Sequence, residues 1–254
     1  MKKEILKYSA ALMSLSFIFA SAAQAISISY SDKTKKTAVI FDVMGGANLP
    51  FNIYVNGGAQ IIPAYAAIVG PNTMTQGLSN DFMVNPELNV GYNFNLFTAD
   101  TGLGTFDPTL TPYVGYKHFI AYTPSVTLDN ISNPSQSLSN AGGINLGVRF
   151  ATNIPLGFHA YADAGLTSLL NGSWSQWTAN GTGNTSGTIN SNGLLLPHAG
   201  VGASFNLFNL LTLRAGYKLM YVPDIRTPVA PLNDASKALV HSLDLGLSFL
   251  FFSI

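Results

Sequence analysis

Eight stretches of this chain alternate apolar and polar residues with a period of two, the spacing of a β-strand with one greasy and one polar face. They fall near 38–46, 87–97, 109–122, 143–153, 157–170, 194–207, 210–222 and 238–251. In the second, Leu88, Val90, Tyr92, Phe94 and Leu96 share one face, while Glu87, Asn89, Gly91, Asn93 and Asn95 share the other. The seventh opposes Leu211, Leu213, Tyr217, Leu219 and Tyr221 to Thr212, Arg214, Gly216, Lys218 and Met220. The first is the least regular, because Ile40 and Met44 fall on its polar side.

Only 9% of the residues are charged, against roughly a quarter in an ordinary soluble domain. Aromatics at 11% and a mean hydropathy of +0.27 exclude a disordered chain. Beyond residue 25 no apolar run approaches the roughly 18 residues a membrane-crossing helix needs. Inside lipid, only helices and closed barrels satisfy every backbone polar group, so a charge-poor chain of alternating strands points to a barrel. Twelve basic residues balance twelve acidic ones, which leaves no surplus to neutralise a phosphate backbone and argues against a nucleic-acid partner. With no cysteine, the chain has no disulfides, thiolate metal sites, Cys nucleophile or lipidated N-terminal Cys.

Residues 1–25 read as a cleaved export signal: Lys2, Lys3 and Lys7, then the apolar run Ala10 to Phe19, then Ala23, Gln24 and Ala25. Residues 26–36 are expected to form a periplasmic N-terminal segment and residues 37–254 an all-β, antiparallel, up-and-down barrel in a bacterial outer membrane. The connections alternate between long and short, at about 40, 11, 20, 3, 23, 2 and 15 residues, as they do when tight turns lie at one rim and loops at the other. The long extracellular loops are expected at 47–86, 123–142, 171–193 and 223–237. Eight strands, an even number, would put both termini at the short-turn rim.

Volume decides which face points inward. The interior of an eight-stranded barrel is only just filled by ordinary side chains, and it cannot hold the many Leu, Phe and Tyr of the apolar face. The opposite face is small, with Gly46, Gly91, Gly115, Gly147, Gly165, Gly200, Gly216 and Gly246 supplying one glycine to each strand. The charges Asp42, Glu87, Lys117, Arg149, Asp163, Arg214, Lys218 and Asp244 share that inward face, four acids with four bases. In a narrow lumen they are expected to pair as an ion network, since an unpaired desolvated charge is costly. Tyr122, Tyr221, Trp174 and Trp177 near one rim, and Phe94, Phe150, Phe205, Phe249 and Phe251 near the other, suggest two interfacial girdles.

A polar, apolar, Gly, apolar, polar pattern recurs at Asn89 to Asn93, Asn145 to Arg149, Asp163 to Thr167, Arg214 to Lys218 and Asp244 to Ser248. With this architecture, residues 37–254 resemble the small outer-membrane barrels of Gram-negative bacteria, the OmpA/OmpX-type and opacity-like surface proteins. That resemblance implies outer-membrane lipid, lipopolysaccharide and the barrel-assembly machinery as partners. Such barrels end in an aromatic residue that serves assembly, whereas this chain ends Phe252, Ser253, Ile254.

Some barrels of this environment resemble lipid A deacylases or palmitoyl transferases, yet the residues here do not favour catalysis. Nucleophilic catalysis within one strand face needs Ser and His two places apart, and none of the four histidines has such a partner. Only a cross-strand arrangement at the inward His159 or His198 stays open. No metal-ligand spacing is found, and no cofactor is expected. The expectation is a non-enzymatic surface protein whose loops serve adhesion, host interaction or envelope stability. The alternative is a narrow channel for small or apolar solutes gated by the first loop, and a lipid-modifying enzyme comes third. Phe51, Tyr54, Tyr65, Trp174 and Trp177 are the candidate loop contacts with a host or extracellular ligand. The apolar segment Phe51 to Val69 stands out in the first loop. It would extend the first hairpin, form a lid, or add two short strands to make ten.

Overall fold

The computed structural model describes residues 36–63, 81–101, 104–126, 135–154, 158–178, 184–207, 211–225 and 236–253. The expected export signal, the segment 26–35 and Tyr65 lie outside them. The described chain is all-β, with nine long strands closed into a barrel. They are β1 (Lys36–Leu49), β2 (Ile53–Pro63), β3 (Phe82–Tyr92), β4 (Thr109–Val126), β5 (Ser135–Ile154), β6 (Phe158–Leu169), β7 (Leu195–Leu207), β8 (Leu211–Asp224) and β9 (Ser236–Ser253). Each pairs antiparallel with the next, and β1 closes the ring on β9 in parallel, with Val43 opposite Leu247 and Asp42 opposite Gly246.

The ninth strand corrects the expectation of eight, and the alternative of ten. The expected loop 47–86 contains β2, which follows β1 through the three-residue turn Pro50–Asn52. Pro50 and Pro63 bound β2 without interrupting its ladder, which is where proline is tolerated. In that turn Phe51 and Asn52 both take positive φ, at 64° and 60°. An odd number of up-and-down strands makes the first and last run the same way, so the closing seam must be parallel. Lys36 therefore stands beside Val240 at the rim of the long connections, not at the short-turn rim where an even count would have put both termini.

The other eight strands keep the expected order and alternation, with shifted ends. The second expected strand, 87–97, starts earlier at Phe82, breaks after Tyr92 and resumes as the short piece Phe94–Asn95, paired to the start of β4. β4 and β5 run well past the expected bounds and carry the expected loop 123–142 into the ladder. The expected loop 171–193 folds as a hairpin of Gly172–Thr178 and Asn184–Ile189, edge-paired to the start of β5. At the short-turn rim, the connection between β3 and β4 carries a small hairpin of Ala99–Thr101 and Gly104–Phe106.

The two faces of the barrel differ as the alternation predicts. Outward side chains are apolar and open, among them Val114 and Leu146, each 52% exposed, and Val201 at 57%. Inward, Asp42, Asn56, Gln60, Asn85, Asn89, Lys117, Asn145, Thr167, Lys218, Ser242 and Asp244 are buried. A water-soluble barrel has the opposite distribution. On β3 the apolar face runs from Phe82 to Tyr92, which at about 3.3 Å per residue and a tilt of about 40° covers about 25 Å.

Candidate functional site

The candidate site is the barrel interior, in which an apolar layer lies beside a charged one. The layer nearest the long connections is apolar and takes one side chain from every strand. Ile40, Ile62, Met83, Phe119, Ala141, Leu169, Leu196, Met220 and Val240 are none of them more than 3% exposed. This layer explains the irregular first strand: Ile40 faces inward because it belongs to an internal apolar plug, beside Ile62. Met44, also inward, packs over Gly58, where a Cβ would lie 2.7 Å from its sulfur.

The middle layer gathers the charges. Lys117 donates to Gln60 Oε1 at 2.8 Å and stands 3.2 Å from Glu87 Oε2. Arg214 Nη2 bridges two acids, at 3.4 Å from Asp42 and 3.6 Å from Asp244. Asp163 stands 3.6 Å from His198 Nε2, which also meets the Tyr113 hydroxyl at 3.2 Å. Lys218, buried, lines the same central cavity as Asp42, Glu87 and Asp163. Thr167 donates to Asn145, Asn145 to Asn89 and Asn89 to Glu87, so an amide chain ties three strands to the charged cluster. The eight charged residues singled out from the sequence thus share one interior. Arg149 stands apart among them: its contact is with the Tyr54 hydroxyl at 3.5 Å.

Glycines make this crowding feasible. In the ladder Lys218 lies across from Gly200, which lies across from Asp163, and Arg214 from Gly246, which lies across from Asp42. Long side chains reach over the bare backbone of the next strand. At Gly202 a Cβ would come within 2.5 Å of the Tyr161 hydroxyl, and at Gly147 within 2.3 Å of the Tyr113 hydroxyl. The cavity left among the central side chains measures about 30 Å³, room for one or two water molecules.

Three inward tyrosines belong to the interior: Tyr54, expected as a loop contact, and Tyr113 and Tyr161, which the sequence did not single out. Their signal was parity, since Tyr113 shares the register of Gly115 and Lys117, and Tyr161 that of Asp163 and Gly165. Of the candidate loop contacts, Tyr54 turns into the lumen and Phe51, 87% exposed, sits in the tight turn at the short-turn rim. Trp174 and Trp177 lie on the 172–189 hairpin at the opposite rim, where the Trp174 ring covers Gly187.

The ladder does bring a serine to a histidine, since Ser204 is the register partner of His159. Both imidazole nitrogens are occupied, however: Nδ1 meets Asn153 Oδ1 at 2.7 Å and Nε2 accepts from Asn206 at 2.8 Å. The geometry is that of a braced imidazole, with no nitrogen left to take a proton from the hydroxyl. No family model, no curated protein and no solved structure matches the chain.

Proposed function

We propose that this chain is an exported, integral outer-membrane protein of a Gram-negative bacterium, a non-enzymatic barrel that displays its long connections outside the cell. The observation that carries the reading is the inverted polarity of a closed barrel. An apolar outer band about 25 Å tall surrounds a charged interior, the arrangement a bilayer favours and water does not. An apolar patch of that extent on a soluble monomer would aggregate it.

The filled interior favours display over transport. Among the described residues, the internal apolar layer and the charged cluster fill the lumen down to a central cavity of about 30 Å³. The long-connection rim supplies what a surface protein needs, including the projecting hairpin with Trp174 and the half-exposed Trp177. Adhesion, host interaction and envelope stability are the roles such a scaffold serves, with outer-membrane lipid, lipopolysaccharide and the assembly machinery as its surroundings. The test is single-channel recording of the refolded mature chain in planar bilayers. We expect insertion with no steady conductance; discrete openings altered by Arg149→Ala or Arg214→Ala would replace this reading with a channel.

A further inference from the structure

A groove of about 480 Å³ is cut into the outward face of the barrel, over β5 to β8. The ladder shows how it arises. One row across the sheet reads Val148, Ala164, Ala199 and Leu219, so two methyl groups lie between two branched side chains. The surface sinks along β6 and β7 and rises again on β5 and β8, where Phe150 and Tyr217 continue the walls toward the short-turn rim. The walls stand three strand spacings apart, about 14 Å, which admits a pair of hydrocarbon chains side by side.

The end of the groove nearest the long connections is basic. Following β7 up from Val201 leads through Ala199 to Leu195, whose carbonyl oxygen accepts from Lys237 Nζ at 2.8 Å. The same ammonium lies 4.9 Å from the centre of the Tyr221 ring. That carbonyl takes one of its three N–H donors, and Lys237 is exposed, so the others are open to an oxygen from outside. Further down β9, His241 stands beside Leu219 of the groove wall, and its Nδ1 meets the Tyr217 hydroxyl. Among the described side chains of the nine strands, no carboxylate faces outward to neutralise these groups. From Val201 to Leu195 is about 20 Å along the strand, which a tilt of about 40° reduces to about 15 Å of depth, half of a hydrocarbon core roughly 30 Å thick. Groove and ammonium are thus one leaflet's depth apart.

We propose that this face holds a lipid with an anionic phosphate headgroup, its acyl chains in the alanine-floored groove and its phosphate at Lys237. The inference rests on the outer-membrane reading and names the lipid contact within it. A free phosphate ion would meet one exposed ammonium with no enclosing wall, and a neutral lipid would fill the groove without using the charge above it. Only a molecule that carries both an anion and hydrocarbon chains, a leaflet's depth long, uses both features. Under the proposed topology that lipid belongs to the outer leaflet.

The test is native mass spectrometry of the folded mature chain released from detergent micelles, with phosphatidylglycerol and phosphatidylcholine of the same acyl chains as competing probes. Phosphatidylglycerol should be retained about fivefold more, the advantage one lysine gives at an anionic lipid surface. Lys237→Gln should remove that preference. Ala199→Phe, which fills the floor of the groove, should lower the retention of both lipids, and Ala164→Phe covers the case in which Ala199→Phe fails to fold. Equal retention of the two lipids, a preference unchanged in Lys237→Gln, or retention unchanged in a folded groove variant would overturn the proposal. A chain that folds as a monomer in buffer without detergent would overturn the outer-membrane reading and this site with it. A chain that inserts into vesicles and shows no headgroup preference would overturn this site alone.

Discussion

Lys117 reaches across the lumen from β4 to Gln60 on β2 and Glu87 on β3, so one ammonium holds three adjacent strands together. Its side chain is 4% exposed and that of Glu87 12%, so neither charge can turn to water if the other is lost. Lys117→Met should therefore destabilise the folded barrel by about 3–5 kcal/mol, because it strands a buried carboxylate. Pairing it with Glu87→Leu should recover most of that loss, since two apolar groups of similar volume need no partner. Urea unfolding midpoints in micelles would check this, and a double variant less stable than the single one would contradict it. The inward positions of these residues were readable from parity, because each charge shares its register with a glycine. Which acid meets which base was not readable. Arg149 and Asp163 are register partners, yet Asp163 is 3.6 Å from His198 and Arg149 reaches Tyr54, a choice made by side-chain reach across the lumen.

At the scale of elements, β2 is what the sequence hid. Its segment Ile53–Pro63 alternates Tyr54, Asn56, Gly58, Gln60 and Ile62 inward against Ile53, Val55, Gly57, Ala59 and Ile61 outward. Two consecutive glycines blur the outward stripe, and three prolines in the surrounding segment suggest a loop. The glycines have a packing reason: at Gly58 a Cβ would lie 2.2 Å from the Val43 carbonyl oxygen, so β2 approaches β1 closely there. The added strand changes the parity and with it the seam. Val43 and Leu247 face outward as parallel register partners, and the natural chain has no cysteine to interfere. Val43→Cys with Leu247→Cys should therefore cross-link within one chain under mild oxidation or with a short bifunctional reagent, shifting its mobility on a denaturing gel. An eight-stranded barrel closed antiparallel would not bring these two positions together, and absence of the cross-linked species in folded protein would argue for it.

For the whole molecule, the inverted polarity is the property on which the environment acts. Val114 lies midway along β4, outward and half exposed. In a bilayer, Val114→Arg should cost about 2–4 kcal/mol and lower the folding yield into phospholipid vesicles. In water the same exposed substitution would change stability by no more than about 0.5 kcal/mol, so an unaffected yield would remove the lipid assignment. The inward Thr212, near the short-turn rim and only half-buried, should accept Asn with little change in yield. The period-two pattern, the lack of charge and the one-sided glycines were enough by themselves to determine an all-β chain, a closed barrel and the sense of its two faces. Each of these follows from local alternation and from the volume a narrow cylinder can hold. Only the tertiary structure decided the strand count, the parallel seam, the apolar plug at one end and the partner each charge takes in the middle. Those features depend on which distant residues the curved sheet brings face to face across its axis, and a pattern that repeats every two residues carries no information about that distance.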